Sequence, residues 1–281
     1  MEVIKTVSEM KLKARALREE GKKIGLVPTM GYLHNGHLSL LKRSVRENDI
    51  TVCSIFVNPL QFGPKEDLNT YPRDFEKDAK LLKENNCDFI FYPSVEDMYP
   101  DGFSTIVSVK GITEKLCGKS RPGHFDGVAT VVTKLFNIIN PHKAYFGMKD
   151  YQQLLVIKRF VKDLNMDVEV IGCEIVRDFD GLALSSRNSY LNENQRNSAL
   201  SLSRSFEIVD RFLKSGKRNA KEIILEVKKF IESFPETKVD YIKIVDKDTL
   251  QDIEYIDRDF LYALAVFVGK ARLIDNKIFE V

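Results

Sequence analysis

The chain has 281 residues, 43% hydrophobic and 30% charged, which is ordinary for a globular protein and excludes a disordered chain. Forty-three basic against 41 acidic residues leave a formal net charge of +2, too balanced to mark a nucleic-acid or membrane partner, so any anion has to be met locally. No stretch nears the roughly 20 apolar residues that span a bilayer; the start lacks the apolar centre of a signal peptide; and the cysteines at 53, 87, 117 and 173 form no Cys-x-x-Cys pair, which fits a cytoplasmic protein without disulfides or a zinc site.

Hydrophobic spacing predicts a helix over 7–20 stopped by Gly21, then an apolar strand over 24–27 that ends at Pro28. A helix over 38–47, a strand over 49–57, a helix over 75–85 and a strand over 89–92 follow. Further on come a buried helix over 128–139, a strand over 144–146, a helix over 151–164 and a strand over 168–171. Cys53 and Cys173 lie in apolar runs and read as small core residues. The alternation predicts an α/β fold, a Rossmann-like doubly wound parallel sheet of about five strands. After Arg177, amphipathic helices over 193–214 and 220–233 and strands over 239–245 and 261–268 predict a smaller α+β domain. Two domains are therefore expected, 1–176 for nucleotide and substrate and 177–281 as a lid.

Five segments carry chemistry. Pro28-Thr29-Met30-Gly31-Tyr32-Leu33-His34-Asn35-Gly36-His37 follows the first strand and opens a helix, where ligands of open α/β sheets bind and the helix dipole favours an anion. Gly31 and Gly36 would let backbone N–H groups approach phosphates, and His34 and His37 could face one polyphosphate; the bland alternative is a loop with two surface histidines. No Walker-type Gly-Lys-Ser/Thr loop is present. Asn58 and Gln61, in Phe56-Val57-Asn58-Pro59-Leu60-Gln61, offer neutral donors and acceptors for a hydroxy acid, or form a Pro/Gly turn. Arg121 and His124 lie in a loop that covers a site or is simply solvated. Gly147-Met148-Lys149-Asp150 is another strand-to-helix turn, with Lys149 as a phosphate charge and Asp150 as a helix cap or a nucleotide contact. Leu184-Ser185-Ser186-Arg187 sets two hydroxyls and a guanidinium between the domains, for phosphates or for helix capping.

In this order, PTMGYLHNGH, FVNPLQFGP, SRPGHF, FGMKDYQQL and LALSSRN resemble the pantothenate synthetase family, over most of residues 24–190. The resemblance implies a nucleotidyltransferase-type site with ATP contacts at Met30, Gly31, Tyr32, Leu33, His34, Asn35, Gly36 and His37, at Gly147, Met148, Lys149 and Asp150, at Val176, and at Leu184, Ser185, Ser186 and Arg187. It implies that Gln61 and Gln153 contact pantoate, that β-alanine is the second substrate, and that the chain is a homodimer. Within that reading His37, His34, Lys149 and Arg187 are the catalytic groups, Mg²⁺ bridges phosphate oxygens, either histidine shuttles a proton from the β-alanine amine, and Arg121 or His124 holds its carboxylate. Rival readings are a plain nucleotidyltransferase, a tRNA synthetase and a non-catalytic nucleotide sensor. The second lacks a basic anticodon-binding appendage.

Overall fold

The apolar runs and amphipathic stretches resolve into β1 (Glu2–Ile4), α1 (Val7–Glu19), β2 (Ile24–Thr29), α2 (Asn35–Glu47), β3 (Ile50–Ile55), α3 (Phe75–Glu84), β4 (Phe89–Phe91), α4 (Val95–Met98), α5 (Leu116–Ser120), α6 (His124–Ile139), β5 (Lys143–Gly147), α7 (Tyr151–Asp163) and β6 (Glu169–Cys173). The computed structural model describes residues 1–64 and 66–281. It divides into two compact units: Met1–Glu114, Arg121–Met148 and Gln152–Glu174 in the first, and Lys115–Ser120, Lys149–Tyr151 and Ile175–Val281 in the second.

The first unit is a parallel six-stranded sheet in the order β1-β4-β3-β2-β5-β6. That is one strand more than expected. The extra strand is β1, three residues at the edge with only Ile4 buried, too short and polar to stand out as an apolar run. The inner strands carry Leu26, Val27, Val52, Ile90, Ala144 and Tyr145, all closed off from solvent, as burial on both faces of a parallel sheet requires. Cys53 and Cys173 are buried among them as expected. Strand β2 runs through Pro28 to Thr29. Beyond Leu26 it pairs only with β3, and this half-free stretch tolerates a residue without an N–H. The strand order turns between β2 and β5, so those two neighbours leave the sheet at the edge where ligands of such folds bind.

The second unit adds α8 (Glu193–Ala199), α9 (Ser201–Lys214), α10 (Ala220–Glu232), β7 (Thr237–Asp246), β8 (Phe260–Val268) and β9 (Ala271–Phe279), the strands forming an antiparallel sheet β7-β8-β9. Its core joins Val209, Ile223, Val227 and Ile231 of the helices to Ile244, Phe260, Tyr262, Leu264 and Val266 of the sheet. The single helix expected over 193–214 is two, because the chain turns at Leu200 and starts again at Ser201. Strand β9 has no clear apolar run, since it buries Asp275 and Asn276 and carries Arg272 and Lys277. Among the described residues no helix is long and apolar enough to cross a membrane.

Candidate active site

Helix α2 starts at Asn35, earlier than the apolar spacing indicates, because His34 and His37 cap it. The Gly36 N–H donates to His34 Nδ1 at 3.1 Å and the His34 N–H donates to His37 Nδ1 at 3.3 Å. Imidazole nitrogens thus replace the usual hydroxyl and carboxylate of a reciprocal capping box. The ring centroids lie 4.0 Å apart. With Nδ1 accepting in both rings, each neutral imidazole carries its proton on Nε2, close to the positive end of the α2 dipole. Donation from Nε2 to an anion leaves both caps intact. Proton shuttling requires Nδ1 first to release its main-chain partner, or Nε2 to lose its proton.

The N–H groups ahead of His34 are not available as the expected phosphate cradle. Gly31 donates to Thr29 Oγ1 at 3.2 Å, and Tyr32 and Leu33 donate to Asp78 Oδ2 and Oδ1, each at 2.7 Å. Gly31 and Tyr32 hold left-handed backbone, with φ of 83° and 51°. Asp78 lies on α3 and is 1% exposed; burial pushes its carboxyl above the ordinary range, against the pull of the two N–H donors. None of the motifs singles it out. The only hint is an acid on the buried face of α3, four residues before Leu82.

Asn58 is also buried, and all four hydrogen-bonding positions of its amide are taken. Its oxygen accepts from Leu60 N at 3.3 Å and Tyr99 OH at 2.8 Å, and its nitrogen donates to Gly127 O at 3.0 Å and Gln61 Oε1 at 3.2 Å. It caps the 3-10 turn Pro59–Gln61 and bonds to the Gln61 side chain, as the turn alternative for this segment has it. The Gln61 amide donates to Met30 Sδ at 3.1 Å, and among the described residues one of its N–H groups and one lone pair have no further partner. Arg121 and His124 lie behind the same turn. His124 Nδ1 donates to the Gln61 carbonyl at 2.8 Å, and Arg121 reaches that carbonyl at 3.3 Å and His124 Nε2 at 3.0 Å. Arg121 also pairs with both oxygens of Glu66, at 2.7 and 2.6 Å. Glu66 is partly buried, which raises its pKa, but Arg121 outweighs this and holds it below the ordinary range. Arg121 and His124, expected to offer a β-alanine carboxylate a partner, both bond to the main chain of the Gln61 turn.

After β5, Gly147 ends the strand opposite Cys173, and Met148–Asp150 form a 3-10 turn. The Lys149 carbonyl accepts from Asn276 Nδ2 at 2.8 Å, and its ammonium meets no carboxylate among the described residues. On α7, Gln152 is buried and donates to the Ile112 carbonyl at 2.7 Å, and Gln153 follows it in the same first turn. In the second unit the Val176 carbonyl accepts from Leu184 N at 3.0 Å. Arg177 makes a two-pronged pair with Asp275, at 2.7 and 2.9 Å. Arg177 and Ala183 pair as an isolated antiparallel bridge, and Arg196 binds Asp178 and Asp180 of the turn between them at 2.7 and 2.8 Å. Ser185 accepts from Arg187 N at 3.3 Å and caps the 3-10 helix Ser186–Tyr190, the capping alternative left open by the sequence. Within the first unit the structure therefore brings Met30–His37 to Gln61, and within the second it gathers Leu184–Arg187 on one pinned turn. No group of three His, Cys, Asp or Glu side chains among the described residues could hold a metal ion.

The profile of the Pantoate-beta-alanine ligase family matches residues 2–278. A pantothenate synthetase of Caldicellulosiruptor bescii is 58% identical over 280 residues, covering 100% of this chain and 99% of that one. One from Thermotoga petrophila is 57% identical over 278 residues, covering 99% of each. Among solved structures, pantothenate synthetase from Thermus thermophilus superposes with a TM-score of 0.93 at 47% identity, covering 99% of both chains. Pantoate-beta-alanine ligase from Francisella tularensis, in complex with beta-gamma ATP and beta-alanine, superposes with a TM-score of 0.82 at 37% identity, covering 99% of this chain and 97% of that one.

Proposed function

The chain belongs to the Pantoate-beta-alanine ligase family and is an amide-forming ligase, and from that premise we propose that it joins pantoate to β-alanine while splitting ATP to AMP and pyrophosphate, through a bound pantoyl adenylate. The observation that carries this reading is the reciprocal cap of His34 and His37, which sets two Nε2 donors at a helix N-terminus while Gln61, an amide with bonding capacity to spare, touches Met30 in the same loop. The ligand pair of the Francisella tularensis relative supports the choice of nucleotide and amine.

In the first step a pantoate carboxylate oxygen attacks the α-phosphorus, a P–O bond forms, and the bond to the bridging oxygen breaks as pyrophosphate leaves. A carboxylate with a pKa near ~4 is already ionised and needs no general base. Catalysis is alignment and charge stabilisation by the His34 and His37 Nε2–H groups, Lys149, Ser185, Ser186 and Arg187. The nucleotide's phosphate oxygens bring any Mg²⁺, and the chain's own donors align and stabilise the reacting groups. In the second step the β-alanine amine attacks the acyl carbon, the C–N bond forms and AMP leaves with the C–O bond electrons. The amine, an ammonium at neutral pH, loses one proton to solvent or to an imidazole before it attacks, and a second as AMP departs. Gln61 and Gln153 select the acid through its hydroxyl, because a site built to bond a hydroxyl rejects analogues lacking it.

Incubation with ATP and pantoate, with and without β-alanine, tests the reading. Expected are pyrophosphate release that depends on pantoate, and AMP with pantothenate when β-alanine is added. AMP retained in a stable dinucleotide, or pyrophosphate release indifferent to pantoate, would sink it.

A further inference from the structure

We propose that Asp78 is the positioning residue of the His34–His37 pair, an inference that rests on the ligase reading above and goes beyond it by naming the group that holds the imidazoles in place. Asp78 is 1% exposed, and each of its oxygens accepts one of two successive main-chain N–H groups, from Tyr32 and Leu33, at 2.7 Å. Such short N–H···O bonds belong to a charged acceptor. The geometry uses the acceptor-only form, since a protonated acid would turn a hydroxyl toward one of the two donors.

The backbone is arranged around this contact. Gly31 and Tyr32 both adopt left-handed φ, which Tyr32 keeps only where its surroundings hold it. A Cβ at Gly31 would stand 3.0 Å from Asp78 Oδ2 and 3.2 Å from Ile55 Cγ2, so the glycine lets the carboxylate lie beneath the loop. On the same helix Lys77 Nζ sits 5.3 Å from the Tyr32 ring centroid and grips the turn from a second point. The fixed Leu33 amide leads directly into His34, whose own N–H is the donor to His37 Nδ1. Orientation therefore passes from Asp78 through two peptide planes to the capping box, and from there to both Nε2 donors.

Asp78→Asn keeps the volume but turns an amide N–H₂ toward one of the two donors. With the variant folded, kcat for pantoate-dependent pyrophosphate release falls by about tenfold or more, while KM for pantoate and β-alanine stays within about threefold, the split expected when transition-state contacts alone are lost. The His34 and His37 ring resonances shift in the same variant. In the parent, the Tyr32 and Leu33 amide resonances move together with the Asp78 carboxyl carbon as pH is lowered, with Asp74 and Lys77 as the neighbouring charges. A folded Asp78→Asn protein with kcat within about twofold of the parent overturns the proposal. So do Tyr32 and Leu33 amides that ignore the Asp78 titration, and this measurement decides the matter if the variant does not fold. Should the parent release no pyrophosphate, the ligase reading fails, and the amide titration and ring shifts still decide whether Asp78 positions the pair.

Discussion

An imidazole that accepts a main-chain N–H through Nδ1 has already chosen the proton it offers a ligand, and here three of the chain's four histidines have done so, His34 and His37 in the candidate site and His142 beside β5. His37→Ala is expected to slow pantoate-dependent pyrophosphate release by about 10²-fold, corresponding to roughly 3 kcal/mol in the barrier, by analogy with removal of an oxyanion-hole donor. A rate within about threefold of the parent would refute direct contact with the phosphates. The Arg121 environment makes an opposite distinction. If its guanidinium held the β-alanine carboxylate, Arg121→Lys would raise KM for β-alanine alone. With Arg121 committed to Glu66, His124 and the Gln61 carbonyl, the expected effect falls on KM for pantoate, and steady-state kinetics with each substrate varied separates the two. Motif residues were legible in the sequence. Whether each faces a ligand or a neighbour was not, because a side chain's remaining bonding capacity depends on partners such as Asp78 and Tyr99, which lie 45 and 41 residues from the atoms they bind.

Between elements, the closest approach that bears on the site is α6 crossing the turn Pro59–Gln61. A Cβ at Gly127 would collide with the Leu60 carbonyl and the Gln61 main chain. Gly127→Ala is therefore expected to lower stability by about 1–3 kcal/mol as an overpacked contact, and to raise KM for pantoate by tilting Gln61. Thermal unfolding and substrate kinetics read the two effects. At the start of β5, His142 Nδ1 accepts from Ile24 N at 3.0 Å. Burial lowers its pKa, and Arg18 lowers it further. Its folded pKa lies below the unfolded value of about 6.5, so the stability it contributes is present above that pH and is lost as pH falls toward the folded pKa. Urea midpoints across that interval should fall more steeply for the parent than for His142→Asn, and parallel curves would contradict this. The long amphipathic helices and apolar strands were readable from periodicity. The early start of α2 and the break at Leu200 were not, because local hydrogen bonding rather than hydrophobic spacing sets those ends.

For the molecule as a whole, a ligand that binds only the folded chain raises its unfolding temperature by mass action. ATP at 100 times its Kd is expected to add about 2.7 kcal/mol. Pantoate added with it should raise Tm beyond the sum of the two separate shifts if a bound adenylate accumulates; additive shifts would argue against that intermediate. The α/β class, the smaller α+β unit and the family could all be read from the residues in order, because hydrophobic period and short motifs are local properties of the chain. The sixth strand, the polar strand β9 and the division of labour within each motif emerged only from packing. Asn58, Arg121 and His124 bond to the Gln61 turn, while the loop before His34 acquired a carboxylate partner in Asp78. Those outcomes turn on which distant groups saturate a donor or acceptor, and only the folded chain brings such groups together.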